Sequence, residues 1–553
     1  MNWESYRQQI DENAGLLEDW YILGIDLGTT NSVISYWDNA AGKPVPIDVS
    51  NGFGKAPMPS VVQYRPDDDS GDLGEWVIGE EAYRSMKIYN DTTIRSIKRK
   101  MGTSDTVAIN GKNYLPEEIS AKILEELIAH CRSLNPKAEI AGVVVSVPYD
   151  FDDAAKKATM RACELAGLSD KLICLIEEPK AATLAYNFNA HKKLESGELI
   201  MVFDFGGGTL DITVFHVKDS DNARIKLQVI SEGGEAEHGG DNIDEVVAAK
   251  CYEFIEKKTG QSKEQIIDSS KENQVEIETK AREAKERLSG VKSFRIPFTF
   301  CIPPFVEQLT REEFEGLIAP FIEKTRKLVQ KALREAYTGA LTPDKITMAL
   351  MEGGSCQMPW VRAMLLDVFN DADKIYESNT PALDISLGAT YYAAMKMGLL
   401  SQPDMESEKL SVEFETSVAH DIGFEIRSGK KVSFSPIIKR GTTYSLAKKS
   451  KILTLYGDTP EDMTNFDIKI LERMNLNDKI EDCRLIGEVS ITGLPERPNG
   501  KTKLNITLSV AEGGLTRGTV EDMGYPREYE PSGYKQDFAP SRFEKTIIRK
   551  EGI

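Results

Sequence analysis

Two stretches of the chain join an apolar run to an aspartate and then to a glycine-rich turn. The first is YILGIDLGTTNS, starting at Tyr21; the second is LIMVFDFGGGTLDIT, starting at Leu199. A glycine-rich turn exposes successive backbone N–H groups with no Cβ in the way, and such a concavity holds phosphate oxygens. Gly28, Thr29 and Thr30 can do this in the first stretch, and Gly206, Gly207, Gly208 and Thr209 in the second. Asp26 and Asp204 close the apolar runs. A carboxylate there can hold a hydrated Mg²⁺ through its waters, because Mg²⁺ prefers oxygen ligands and dehydrates reluctantly. Asp211 lies two residues beyond Thr209 and can extend the acidic ring. One such turn is as readily a plain structural turn. Two matched copies about 180 residues apart point to duplicated halves facing one ligand. A third glycine pair, Gly353 and Gly354 in LMEGGSCQMP, can bring backbone close to a nucleoside, but on its own it reads as a tight strand-to-helix turn.

The elements that must carry these turns are legible as alternating strands and helices. Ile22–Ile25, Val143–Val147, Leu199–Phe203 and Thr347–Met351 read as buried strands, and Pro116–Cys131 and Asp153–Ala166 as amphipathic helices. That alternation implies an α/β architecture. In 275–288, Val275, Ile277, Ala281, Ala284 and Leu288 share a helical face, and the intervening charged residues are expected in solvent. The texture changes near 398–408, where GLLSQPDMESE reads as a linker. Beyond it only short strands are expected: Asp421–Ile426, Lys431–Ile438, Lys451–Tyr456, Phe466–Leu471, Arg484–Thr492 and Lys503–Val510, a compact β domain. The expected organisation is an N-terminal helical extension over 1–20, a nucleotide-binding unit over 21–400, a linker over 401–412, a β-sandwich over 413–522 and an irregular Pro- and Tyr-rich tail over 523–553.

Composition excludes several alternatives. The chain carries 68 basic and 88 acidic residues, a net charge of −20. General nucleic-acid binding and an anionic membrane surface both call for the opposite sign. Local amides, one lysine and a metal are still enough to hold a polyphosphate in an acidic protein. The seven cysteines are scattered with no CxxC pair, which reads as reduced, buried thiols. The first 20 residues have no signal-peptide pattern and no apolar run is long enough to span a bilayer, so a cytoplasmic location is the default expectation.

The motifs, taken in order, resemble the seventy-kilodalton heat-shock protein (DnaK-type) chaperones. GIDLGTTNS, PSVV at Pro59–Val62, SIKRKMG at Ser96–Gly102, VSVPYDFDD at Val145–Asp153, IEEPKAATLAY at Ile176–Tyr186, DFGGGTLDIT and EGGS at Glu352–Ser355 match that family's successive motifs. The resemblance implies a two-lobed, actin-like (ribonuclease H-like) ATPase domain followed by an all-β sandwich. It implies ATP or ADP with Mg²⁺, and K⁺ as a candidate further ion. Carried over, Thr29, Thr30, Gly206, Gly207, Gly208 and Thr209 cradle phosphates, Asp26 and Asp204 position Mg²⁺ and water, Lys98 approaches the γ-phosphate, and Glu178 lies near the same water. Pro148 matches a proline that switches between nucleotide states. Gly28, Lys285, Ser289, Gly353, Gly354 and Ser355 complete the nucleotide site. Without the resemblance Lys98 reads as a surface lysine in a basic run, and Glu178 as a helix-start acid before Pro179. Implied partners are a polypeptide client or one folded protein, with J-domain and nucleotide-exchange partners beside it.

Several positions depart from the family pattern. Arg282 and Glu286 reverse the signs of the pair that clamps the nucleoside, and Gln357 replaces an adenine-packing arginine. Lys156 stands where the proline-switch arginine belongs, and Cys174 falls at a basic J-domain site. Leu410, Val412 and Phe414 alternate with polar residues where the family's linker is continuously apolar. In the β domain, Arg427 and Tyr456 align with the arch over the bound peptide and Phe466 with a smaller aliphatic residue of the central pocket. A chain ending at 553 leaves no room for the family's helical lid. Two other functions remain open at this point: a nucleotide-gated scaffold that hydrolyses little, and a small-molecule kinase on the same fold.

Overall fold

The computed structural model describes residues 4–6, 8, 20–50, 55–66, 74–149, 151–189, 193–220, 224–337, 339–400, 411–415, 417–418, 420–428, 431–443, 446–457, 459, 464–473, 478–510 and 516–538. Most of the expected N-terminal extension, all but two residues of the expected linker and the last part of the tail lie outside them. The chain divides into two compact units, 1–227 with 231–413, and 228–230 with 414–553.

The first unit is built on two mixed sheets of the same design. In one, the strand order is Leu172–Glu177, Glu139–Val147, Trp20–Asp26, Asn31–Asp38, Lys43–Pro46. In the other, it is Ile375–Glu377, Met348–Glu352, Leu199–Phe205, Thr209–Ser220, Arg224–Ala236, with Ser411–Glu415 added at the edge. In each, the glycine-rich turn joins the third and fourth strands as an antiparallel hairpin, and the two strands on the other side run parallel to the third. The parallel central strands are buried almost end to end (Glu139–Val147 has eight buried residues in nine), as strands covered by helices on both faces should be.

Glycine sets how closely the helices approach. A Cβ on Gly24 would lie 2.3 Å from the backbone nitrogen of Thr390, and one on Gly388 would lie 1.8 Å from the carbonyl oxygen of Ala181. Helix Asp384–Lys396 is therefore wedged between the strand Trp20–Asp26 and helix Glu178–Asn189. Ser35 fixes it, its hydroxyl 2.6 Å from that of Thr390.

The second unit is a β-sandwich. One antiparallel sheet runs Lys431–Ile438, Asp421–Ser428, Phe466–Arg473, Arg484–Ile491; the other runs Lys448–Leu455, Thr502–Val510, Thr516–Asp522, Lys535–Phe538. Strand Thr502–Val510 alternates strictly, burying Thr502, Leu504, Ile506, Leu508 and Val510. Leu504, Ile506 and Leu508 share one core with Ile422, Phe424, Ile470 and Ile491 of the facing sheet.

The tail reading needs correction: Lys535–Phe538 is a strand paired antiparallel to Thr516–Asp522. The loop before it is pinned by a buried ion pair, Arg497 to both oxygens of Asp522 at 2.6 and 2.7 Å, with the amides of Gly524 and Ser532 donating to the same carboxylate. Sequence reading missed this because Tyr, Pro and Gly around 525–534 look like loop alone. All seven cysteines are free thiols, five of them buried. Among the described residues no helix is long and apolar enough to cross a membrane.

Candidate functional site

The two hairpin turns meet. A Cβ on Gly207 would fall 1.8 Å from Oγ1 of Thr30, and one on Gly208 would fall 2.9 Å from Cγ2 of Thr29. Between and beneath the turns lies a cavity of about 400 Å³, within the size range of small-molecule sites. Its wall includes Asp26, Gly28, Thr29, Thr30, Lys98 and Glu178 from the first half of the unit. From the second half come Asp204, Gly206, Gly207, Gly208, Thr209, Lys285, Ser289, Gly353, Gly354 and Ser355. These candidate residues thus line one cavity, while Asp211, expected to extend the acidic ring, is not among those that line it.

Local structure explains how they get there. Ser96 adopts a left-handed conformation, φ 54°, ahead of the short turn Ile97–Lys100. A non-glycine residue rarely takes that conformation. The bend sends Lys98 inward, where its ammonium lies 2.5 Å from Glu178. The surface-lysine reading is therefore wrong: the Lys98 side chain is 8% exposed. Glu178 opens helix Glu178–Asn189, with Pro179 in the first turn where a missing N–H costs nothing. Gly353, at φ 83°, lets the chain pass over the end of the strand Leu199–Phe205, for a Cβ there would be 2.5 Å from the carbonyl of Phe205. Ser355 donates to the carbonyl of Gly206 at 2.8 Å.

The charges are unbalanced. Burial, then the Glu178 charge, pushes the Asp26 carboxyl up to about 6, although Lys98 and a hydrogen bond from Ser146 oppose the rise. Asp204 is pushed well above the ordinary carboxylate range by burial, then by Glu178, Asp211 and Asp26. Burial alone would depress the Lys98 ammonium, and the Glu178 and Asp26 carboxylates more than offset that, so it stays charged. One buried ammonium facing several carboxylates leaves a deficit of positive charge.

A family model described as Hsp70 protein matches residues 22–107 and 104–532. The chain belongs to the Hsp70 family. It is similar to the chaperone protein DnaK of Thermosipho melanesiensis, 31% identical over 519 residues that cover 92% of this chain and 79% of the relative. The chaperone protein DnaK of Mycoplasmopsis synoviae is 32% identical over 514 residues, covering 92% and 78%.

This Hsp70-family site fits a polyphosphate with a hydrated divalent cation. Among the described residues no group of three or more His, Cys, Asp or Glu forms a direct metal cage. Asp26 and Asp204 are buried and crowded by other carboxylates, so the charge of a bound cation would relieve them.

Several side chains that line the cavity already have protein partners. Arg282 pairs with Glu286 at 3.0 Å and its guanidinium lies 5.3 Å from the ring centre of Tyr83. Lys285 is buried, not solvated as helical periodicity suggested; it bonds the carbonyl of Gly240 at 2.9 Å and Asp244 at 2.8 Å. Ser289 donates to the carbonyl of Lys285. Gln357 lines the cavity. Lys156 pairs with Glu177 at 3.2 Å.

Sequence reasoning missed Asp241, Arg99 and Ser146. The signal for Asp241 was the pair Gly239–Gly240 ahead of helix Gly240–Thr259. A Cβ on Gly239 would lie 2.3 Å from the carbonyl of Gly207, so only glycine seats the helix on the turn. In the sandwich, Phe466 packs against the core and Tyr456 is exposed, its ring against Gly500. Arg427 lies in the strand Asp421–Ser428, but its side chain is outside the described ones.

Proposed function

We propose that the chain is an ATP-binding, ATP-hydrolysing chaperone of the Hsp70 type, with a two-lobed, actin-like clamp followed by a β-sandwich that engages polypeptide. The observation that carries this reading is the convergence of the two glycine hairpins on one cavity floored by Lys98, Glu178, Asp26 and Asp204. Thr29, Thr30 and Gly206 to Gly208 offer backbone amides to the β- and γ-phosphates. Mg²⁺, when bound, supplies positive charge against those oxygens. Asp26 and Asp204 orient the water shell of that ion. Lys98 stays protonated and points at the transferring phosphoryl group, and Glu178 fixes the lysine and the attacking water. Thr209 donates to Asp211 at 3.0 Å, which aims its hydroxyl within the acidic ring. Phosphoryl transfer to water needs this charge neutralisation and in-line placement more than covalent chemistry.

Steady-state ATP hydrolysis tests the reading. Lys98→Ala should lower the rate by about 10²-fold or more, the usual effect of removing one transition-state donor, while MgADP still binds. Equal rates in both proteins would refute the assignment. A second reading, a nucleotide-gated scaffold with little turnover, draws support from the nucleoside side, where Arg282 and Lys285 are bonded to protein partners. It predicts nucleotide-dependent stabilisation with no detectable phosphate release from the unmodified protein. The implied J-domain and exchange partners remain part of the proposal, as does a cytoplasmic location.

A further inference from the structure

A pair of side chains, to which nothing above assigns a role, links the two hairpin turns. The bend at Ser96 that turns Lys98 inward turns Arg99 the other way, toward the second turn. Its Nη2 lies 3.3 Å from the carbonyl oxygen of Gly208 and 3.4 Å from Oδ2 of Asp241. The other oxygen of Asp241, Oδ1, lies 3.5 Å from Oγ1 of Thr30. Asp241 is held in place from behind, its amide donating to the carbonyl of Gly207 at 2.8 Å and its helix starting at Gly240. One carboxylate from the second half therefore reaches an arginine and a threonine from the first, across the turns offered to the phosphates. Both partners are more than two-thirds buried, at 29% and 27% side-chain exposure. That distinguishes the pair from the many exposed ion pairs on this surface, which contribute little.

We infer that Arg99 and Asp241 form a gate over the phosphate end of the cleft and set how long a bound nucleotide stays. This rests on the nucleotide reading proposed above. A triphosphate or diphosphate seated on the two turns lies beneath the bar, and leaving toward that side requires the arginine to let go of both Gly208 and Asp241. Arginine suits the task because its planar fork addresses two acceptors at once, which a lysine cannot do with the same geometry. Neither residue touches the reacting atoms; both are positioning residues.

The test is the release rate of MgADP, followed with a fluorescent N-methylanthraniloyl ADP chased by unlabelled ADP. Arg99→Ala and Asp241→Asn should each release the probe at least about fivefold faster than the unmodified protein, and Arg99→Lys should fall between. The double variant should release no faster than the quicker single variant, because one bar is broken in either case. Raising ionic strength should speed release from the unmodified protein and leave Arg99→Ala unchanged, a response that a merely structural role would not give. Melting temperatures without nucleotide should agree among the proteins. If the unmodified protein holds MgADP and either single variant releases it no faster than the unmodified protein does, the gate is refuted and the nucleotide reading stands. If the unmodified protein holds no MgADP, the nucleotide reading fails and the gate falls with it.

Discussion

Substituting Gly207 by valine tests the convergence of the two turns directly. A Cβ at that position would stand 1.8 Å from Oγ1 of Thr30 and 2.8 Å from its Cβ, whereas ordinary contact begins at 3.4 Å. Rotation of the Thr30 side chain can carry Oγ1 clear, but the contact with its Cβ still requires the two turns to separate by 3.4 − 2.8 = 0.6 Å before the valine methyls are placed. On the proposed nucleotide reading, displacing this turn is expected to cost about two backbone-amide contacts to the phosphates. Hydrogen bonds to a charged group contribute about 1.5–3 kcal/mol each, so affinity for MgADP should fall by about 10²- to 10⁴-fold. Thermal melting gives an independent readout. With MgADP at about 100 times the dissociation constant, binding stabilises the unmodified protein by about 2.7 kcal/mol. The same ligand concentration would stabilise a variant with 10²-fold weaker binding by only about 0.4 kcal/mol. At roughly 2–4 °C per kcal/mol, a shift of roughly 5–10 °C should shrink to about 1 °C. Titration calorimetry with MgADP measures the affinity. Binding by Gly207→Val within threefold of the unmodified protein, with an unchanged unliganded melting temperature, would show that the turns do not hold the phosphates.

Three further outcomes follow from the same coordinates. Asp26 binds its proton more tightly folded than unfolded, so its ionisation destabilises the unliganded fold as pH rises from the ordinary carboxylate value through about 6. Asp26→Asn should therefore gain stability relative to the unmodified protein between pH 4.5 and 7 in denaturant titrations, and a constant difference across that range would contradict the assigned burial. Arg497→Ala leaves the buried Asp522 carboxylate unpaired and should cost about 3–5 kcal/mol of sandwich stability. Burial opposes the ionised form of Asp522, but Arg497 and the Ser532 and Gly524 donors outweigh it and hold its carboxyl well below the usual range. The stabilisation from this group is thus present above the ordinary carboxylate pKa and lost as pH falls below it; a variant melting within a degree of the parent at pH 7 would remove the case for the pair. Phe466 is packed on the sandwich core where a smaller residue would leave room, so the unmodified protein should bind extended apolar peptides weakly and Phe466→Val should bind them more tightly. Fluorescence anisotropy with a labelled apolar heptapeptide decides it, and micromolar binding by the unmodified protein would overturn the blocked-pocket reading.

The legible parts of the fold were those where one physical constraint acts locally. Leu199–Phe205 could be read from its apolar run, and the six expected strands of the sandwich from alternation bounded by turn residues. The strands Thr516–Asp522 and Lys535–Phe538 were not legible, because the Tyr-, Pro- and Gly-rich loop between them reads as irregular and is held by Arg497, 25 positions before Asp522. In helix Lys271–Gly290 one charged residue, Lys285, was misjudged, while its other charged residues are exposed or half-buried. Periodicity places Lys285 beside the apolar stripe, and only the neighbouring Gly240 carbonyl and Asp244 make its burial tolerable.

Sequence alone determined that two glycine-rich hairpins with strand-ending aspartates existed, because backbone exposure to a phosphate demands residues without side chains and leaves that demand written locally. Only the tertiary structure decided that Thr30 meets Gly207, that Lys98 is buried on Glu178, and that Arg99 crosses to Asp241. Those contacts join residues 80 to 177 positions apart. Their existence depends on how distant strands, turns and helices pack in the folded unit, a relation that no local run of residues encodes.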